Sequence, residues 1–234
     1  MPEIRRIRPG ERARALETIV AAFRRDPQVR WWFPDDEGYR AGAPEFFGVL
    51  LDTRIEGGEV WVADGGLAVA MWVPPGGNLI GPELAERQYT AMIAGLPQQA
   101  GARIQRTDEA VDALLPATAH WYLGVLACHP DHHGRGLGAA VAAPVLAAAD
   151  RAGLPVALET ASPVNVGYYT RRGFAVIGEV RLEDAVPQAA GEPALELVAG
   201  GLPGAGAAGS GPAAVGDGLS VGVSLYVMQR QPRT

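Results

Sequence analysis

Gly134, Gly136 and Gly138 alternate with Arg135 and Leu137 where the apolar stretch 121–128 gives way to a polar loop and then to an alanine-rich run. A helix beginning there would leave its first N–H groups without intrahelical partners and carry partial positive charge. Glycines at that point let a ligand reach the backbone with no Cβ in the way. Together they describe an anion site suited to a phosphate or pyrophosphate.

Three phosphate-binding schemes compete for residues 133–139. A P-loop requires Lys followed by Ser or Thr after the glycines, and neither is present. A dinucleotide fingerprint fits Gly134, Gly136 and Ala139, with Glu159 about twenty residues on. Its glycines, however, follow their strand at once, whereas His129, Pro130, Asp131, His132 and His133 intervene here. The third scheme is [Q/R]-x-x-G-x-[G/A] after a strand and a Pro-containing loop, met by His133-Gly134-Arg135-Gly136-Leu137-Gly138 with histidine in the Gln or Arg place.

Other chemistry in the loop is weaker. Cys128, His129, Asp131, His132 and His133 are all able to bind metal. Cys128 and His129 should point to opposite faces of a strand, however, and adjacent histidines rarely share a tetrahedral ion, so no metal is expected. Cys128 has no evident base at this spacing and reads as a packing residue rather than a nucleophile.

The third scheme resembles the acyl-CoA signature of the GCN5-related N-acetyltransferase (GNAT) superfamily. A second segment, Asn165 to Phe174, is similar to that superfamily's N-x(3)-Y-x(3)-G-F pattern. Within the superfamily, GEVWVADGGLAVAMWVPP, HWYLGVLACHPDHHGRGLG and LETASPVNVGYYTRRGF look like the puromycin N-acetyltransferase subgroup. The likeness spans 1–184 and 219–230.

That resemblance implies a mixed α/β fold: a mostly antiparallel central sheet of about seven strands flanked by helices, its two parallel middle strands splayed to hold acyl-CoA. It implies acetyl-CoA as co-substrate, with Leu126, Ala127 and Cys128 on the pantetheine arm. His133, Gly134, Arg135, Gly136, Leu137 and Gly138 would surround the pyrophosphate, and Asn165 and Tyr169 would face the cofactor. The Leu126 N–H would stabilise charge on the thioester oxygen. Tyr169 is the candidate acid, since a phenol near ~10 is matched to a thiol near ~8.5. Glu159 is the candidate base; His120, Tyr122 and water stand in reserve, His120 and Tyr122 being expected on the same strand face as Leu126. Tyr168 reads as core.

The implied activity is transfer of an acetyl group to a primary amine of an antibiotic-like molecule or metabolite. Acetylation of a protein amine, an acyl-CoA sensor without catalysis, and an NAD(P)-binding protein are the alternatives.

Stepping along the chain gives the positioning elements. Residues 3–8 alternate as a strand, and a helix carrying Leu16, Ile19, Val20 and Phe23 ends before Pro27. Trp31 to Pro34 read as an aromatic loop, either a core plug or an acceptor wall. A helix is expected over 46–55, and a hairpin over 60–73 turning at Asp64-Gly65-Gly66. Polar helices follow near 82–94 and 107–115, then the central strand, loop, helix and strand of 120–158. A short helix (164–172) and a strand (174–182) come next. The Gly/Ala/Pro-rich stretch at about 185–218 has no usable period and reads as a mobile insertion before a last strand at 219–228, within one domain over 1–234.

All twenty basic residues are arginine and the net charge is −6, which argues against general nucleic-acid binding. The single cysteine excludes an internal disulfide framework. The N-terminus lacks the apolar core of a signal peptide, and no apolar run is long enough to span a bilayer. A cytoplasmic protein, a monomer or homodimer with a small-molecule amine partner and no membrane partner, is the expectation.

Overall fold

The computed structural model describes residues 1–77, 81–183 and 222–233. Its strands are β1 (Ile4–Arg6), β2 (Glu59–Ala63), β3 (Ala68–Val73), β4 (Trp121–Cys128), β5 (Val156–Thr160), β6 (Phe174–Glu183) and β7 (Gly222–Arg230). They form one 7-stranded sheet in the order β1-β2-β3-β4-β5-β7-β6. Every neighbouring pair is antiparallel except β4 and β5, which run parallel. A dinucleotide-binding fold of several parallel strands is therefore not what these residues build.

The helices are α1 (Arg12–Phe23), α2 (Pro27–Trp32), α3 (Asp36–Gly57), α4 (Pro82–Gly95), α5 (Gln98–Asp112), α6 (Leu137–Ala152) and α7 (Pro163–Thr170). They cover both faces of the sheet, and β3 shows how. Val69 and Met71 enter a core with Ile19, Leu51 and Ile104, while Ala70 and Trp72 enter a second core with Val141, Val145 and Leu158. A strand buried on both faces reads as a continuous apolar run, which is how AVAMWV appears. The hairpin turn expected between β2 and β3 is present, with Asp64, Gly65 and Gly66 all at positive φ. Among the described residues no helix is long and apolar enough to cross a membrane.

Three elements differ from the expectation. Trp31 and Trp32 lie on a helix, not in a loop: Asp26 accepts from the N–H groups of Gln28 and Val29, and Pro27 occupies the first helical turn. The same proline that stops α1 thus starts α2. Helix α3 begins at Asp36 rather than 46, because Asp35 caps it through the Gly38 N–H; Gly38, Gly42 and Pro44 had hidden its first half. Helix α5 begins at Gln98 rather than 107, its first half masked by polar residues and Gly101. The expected insertion at 185–218 lies outside the described residues.

Candidate active site

The parallel partnership of β4 and β5 is brief. Trp121 pairs with Val156 and Tyr122 with Ala157, and the register ends there. Beyond it the two strands have no ladder between them, while β4 stays paired to β3 through Ala68 and Cys128. On that other side the His129 N–H bonds the Leu67 carbonyl at 2.9 Å. Counting back by two along an antiparallel ladder turns Ala127 and Val125 toward β3 as well. The N–H and C=O groups of Leu126 and Cys128 therefore face the gap. The Cys128 carbonyl is met by His133, whose Nε2 lies 3.1 Å away.

The loop after β4 ends at the start of α6 with Gly134 at φ 78° and Gly136 at φ 76°. Both dihedrals lie in the left-handed region that glycine adopts without steric cost. A Cβ built on either would meet nothing within 4 Å, so the helix start is open to an incoming group. Arg135 is exposed beside it. Along α6 the small side chains of Ala139, Ala142 and Ala143 line a cavity of about 280 Å³, opposite Tyr168, Tyr169 and Arg172. Open glycines at a helix start, followed by an alanine-floored trough, fit a diphosphate carrying a long thin arm such as acetyl-CoA.

Tyr169 belongs to both sides of the gap. It borders this trough and also a second cavity of about 890 Å³, and Leu123 and Leu126 border both as well. Its ring packs edge-on against Tyr168 and Phe174. Burial pushes its phenol well above the ordinary value, so it is held protonated. Tyr168 is half-buried rather than core, with the Arg172 guanidinium 3.5 Å above its ring. Asn165 lines the larger cavity and donates from Nδ2 to Thr160 Oγ1 at 3.3 Å. Burial raises the Cys128 thiol above its usual pKa, which suits packing and not a thiolate nucleophile.

Glu159 stands on β5 just past the last parallel pair and accepts a hydrogen bond from the Tyr122 hydroxyl. Burial, aided by the charge of Asp108, raises its carboxyl to about 7, although the Tyr122 hydrogen bond pulls the other way. Tyr122 does not share a face with Leu126, contrary to expectation. The β3–β4 register shifts between Met71 and Trp72, skipping Gly124. That irregularity resets the alternation: Leu123 and Leu126 both join the α6-side core, and Tyr122 turns to Glu159 on the other face. His120 borders the large cavity, its Nδ1 2.8 Å from the Thr118 carbonyl.

The large cavity also holds an aromatic wall and several polar groups. Trp32, Phe46 and Phe47 wall it, and Trp32 is at once core and wall, its Nε1 donating to Thr107 Oγ1 at 2.9 Å. Asp108 accepts from the Tyr89 hydroxyl at 2.6 Å and is raised by burial to about 6. Arg54 reaches in from the last turn of α3. Arg54, Tyr89 and Asp108 come from three separate helices, each an unremarked polar position in the sequence, and only the fold gathers them. Among the described residues no three His, Cys, Asp or Glu side chains gather to hold a metal ion.

Residues 85–174 match the Acetyltransferase (GNAT) family. Solved structures share the fold at low identity. An acetyltransferase from Corynebacterium glutamicum, described as histone acetyltransferase HPA2 and related acetyltransferase, is 19% identical with a TM-score of 0.59, covering 100% of this chain and 97% of its own. Arylalkylamine N-acetyltransferase 2 from Aedes aegypti is 10% identical with a TM-score of 0.58, covering 99% of each chain. The polyamine N-acetyltransferase of Drosophila melanogaster, which forms N-acetylagmatine, is 14% identical with a TM-score of 0.50, covering 99% of this chain and 100% of its own. The matched segment carries the glycine cradle, both parallel strands and Tyr169, and over it the chain is similar to GNAT-family acetyltransferases, with whose solved structures it shares the fold.

Proposed function

We propose that the protein transfers the acetyl group of acetyl-CoA to a primary amine of a small molecule, an antibiotic-like compound or metabolite, by direct attack on the thioester. The observation that carries this reading is the meeting of the two cavities at Leu126 and Tyr169, where the parallel strands part. The sequence likeness to puromycin N-acetyltransferases and the arylalkylamine and agmatine chemistry named for the structural neighbours favour a small amine.

Acetyl-CoA supplies an acyl group already activated as a thioester. The chain's own residues supply the rest. The amides between Gly134 and Gly138 take the diphosphate, with Arg135 and His133 at its rim, and Ala127 and Cys128 flank the arm. The Leu126 N–H donates to the acyl oxygen as negative charge develops there. Glu159, with a carboxyl near 7, takes a proton from the attacking amine directly or through water. Tyr169, protonated and without a hydrogen-bond partner among the described residues, returns one to the departing sulfur.

The test is a thermal-shift titration with acetyl-CoA followed by chromatographic detection of acetylated product over a panel of small amines. A raised melting temperature with product from at least one amine is expected; at about 100 times Kd a ligand adds about 2.7 kcal/mol of stability. A shift with no product from any amine would leave an acyl-CoA sensor instead.

A further inference from the structure

Three carboxylates in the large cavity already accept hydrogen bonds from within the chain. Asp26 accepts from the Gln28 and Val29 N–H groups at 2.9 and 3.1 Å. Asp108 accepts from Tyr89 at 2.6 Å, and Glu159 accepts from Tyr122. The guanidinium of Arg54 lines the same cavity, yet among the described residues it makes no hydrogen bond and no ion pair. Burial lowers its pKa from the ordinary arginine value, and the electrostatic neighbour acting on it is Tyr122.

Its stem is held in place. A Cβ at Gly58 would come within 3.1 Å of Arg54 Cδ and 2.6 Å of the Trp72 carbonyl, so the glycine lets the end of α3 press the arginine stem against β3. An arginine in a helix's last turn complements the helix dipole. An exposed side chain would do that equally well, so the dipole does not explain why this head is turned into a cavity. Five donors in a planar fork, desolvated and unpaired, are matched to a carboxylate or phosphate that binds through two oxygens.

We infer that Arg54 seats an anionic group of the acceptor, so that the substrate is an amine bearing a carboxylate or phosphate. The inference rests on the acetyltransfer reading and deepens it. Tyr122 stands between the two ends of the arrangement, in hydrogen-bond contact with Glu159 and within the field of Arg54. The amine of such a substrate is turned to Glu159 and its anion to Arg54, and the aromatic wall of Trp32, Phe46 and Phe47 takes the body between them. Asp26, Asp108 and Glu159 accept hydrogen bonds within the chain, whereas the Arg54 guanidinium has no such partner among the described residues.

The experiment uses matched acceptors on the full chain at saturating acetyl-CoA: phenylalanine against phenethylamine for the carboxylate, and phosphoethanolamine against ethanolamine for the phosphate. In one pair kcat/KM should favour the anionic member, and the favoured pair says which anion is read. Arg54→Gln should lower that preference by ~10- to 100-fold, the worth of one charge-assisted hydrogen-bonded contact, chiefly through KM, and Arg54→Lys should restore part of it. Equal turnover within both pairs by the wild-type protein overturns the inference and leaves acetyltransfer standing. So does an Arg54→Gln effect that is the same for both members. Absence of acetylated product from every amine, charged or not, overturns the acetyltransfer reading itself.

Discussion

Tyr122 donates its phenolic hydrogen to Glu159 immediately past the last paired residues of the two parallel strands. One residue closes the ladder and holds the carboxylate that the opening exposes. The three largest influences on that carboxylate are burial, which raises it, the Tyr122 hydrogen bond, which lowers it, and Asp108, which raises it again. The outcome, about 7, is where a general base works best at neutral pH.

Activity should therefore follow the ionisation of Glu159. A base must be deprotonated, so kcat/KM should climb with pH through a midpoint of about 7. Glu159→Gln should cost ~10²-fold or more and abolish that rise. Tyr122→Phe removes the influence that lowers the carboxyl, so its midpoint should move to higher pH. Steady-state pH profiles of the three proteins check this; an unmoved midpoint in Glu159→Gln would assign the rise to another group, with Asp108, raised to about 6, the first to try.

The same shift bears on stability, with the opposite benefit. The folded carboxyl is raised from 4.5 to about 7, so folding favours the protonated form. Its contribution is fully present below pH 4.5 and is lost as pH rises through about 7. Glu159→Gln should thus gain stability relative to wild type between pH 4 and pH 8. Urea unfolding at the two pH values measures the change. A constant difference would mean that the carboxyl is not perturbed in the folded state.

How much of this was legible before folding varies by residue. Leu126, Asn165 and Tyr169 are named only through the resemblance to the GNAT superfamily, whereas the glycine cradle is legible from local spacing, because a helix start is a local object. The seven strands were readable for the same reason, as were the apolar cores of α1 and α6. Tyr122 was misplaced because strict alternation assumes an unbroken ladder, and the skipped Gly124 breaks it. Trp31 and Trp32 were read as loop because Pro27 was taken only as a stop. Arg54 and Asp108 gave no sign at all: each is one charged residue on a helix, and their meeting depends on how α3 and α5 pack on the sheet.

Tyr169→Phe tests the proposed return of a proton to sulfur. The ring contacts with Tyr168 and Phe174 survive the change, and only the hydroxyl is lost. Turnover should fall ~10²-fold or more while acetyl-CoA binding persists. Unchanged kcat would remove Tyr169 from the acid role.

Gly136→Glu attacks the cradle from two directions. The position has φ 76°, which strains any residue with a Cβ, and the added carboxylate enters the open space proposed for a diphosphate. Titration with acetyl-CoA should show binding lost. Gly136→Ala separates the two effects, since it adds the backbone strain without the charge and should bind more weakly than wild type but measurably. Normal binding by the glutamate variant would move the diphosphate elsewhere.

Two glycines on α3 make a paired test of its packing. At Gly48 an added Cβ would lie 3.6 Å from Arg12 Nη2 and 3.8 Å from Leu16 Cδ2, ordinary contact distances. At Gly42 it would lie 2.2 Å from Phe33 Cε1, inside a ring that is 1% exposed and has nowhere to go. Helix propensity alone favours alanine at both positions by roughly 0.5–1 kcal/mol. Gly48→Ala should accordingly stabilise by about that amount. Gly42→Ala should destabilise by roughly 1–3 kcal/mol, the usual cost of overpacking, because displacing Phe33 outweighs the propensity gain. Thermal or urea unfolding of the two variants decides it, and equal effects would mean that α3 does not approach Phe33 so closely. Helix α3 carries Phe46, Phe47 and Arg54 into the larger cavity, the proposed acceptor site, so Gly42→Ala should also raise the acceptor KM, a change that Gly48→Ala should not share.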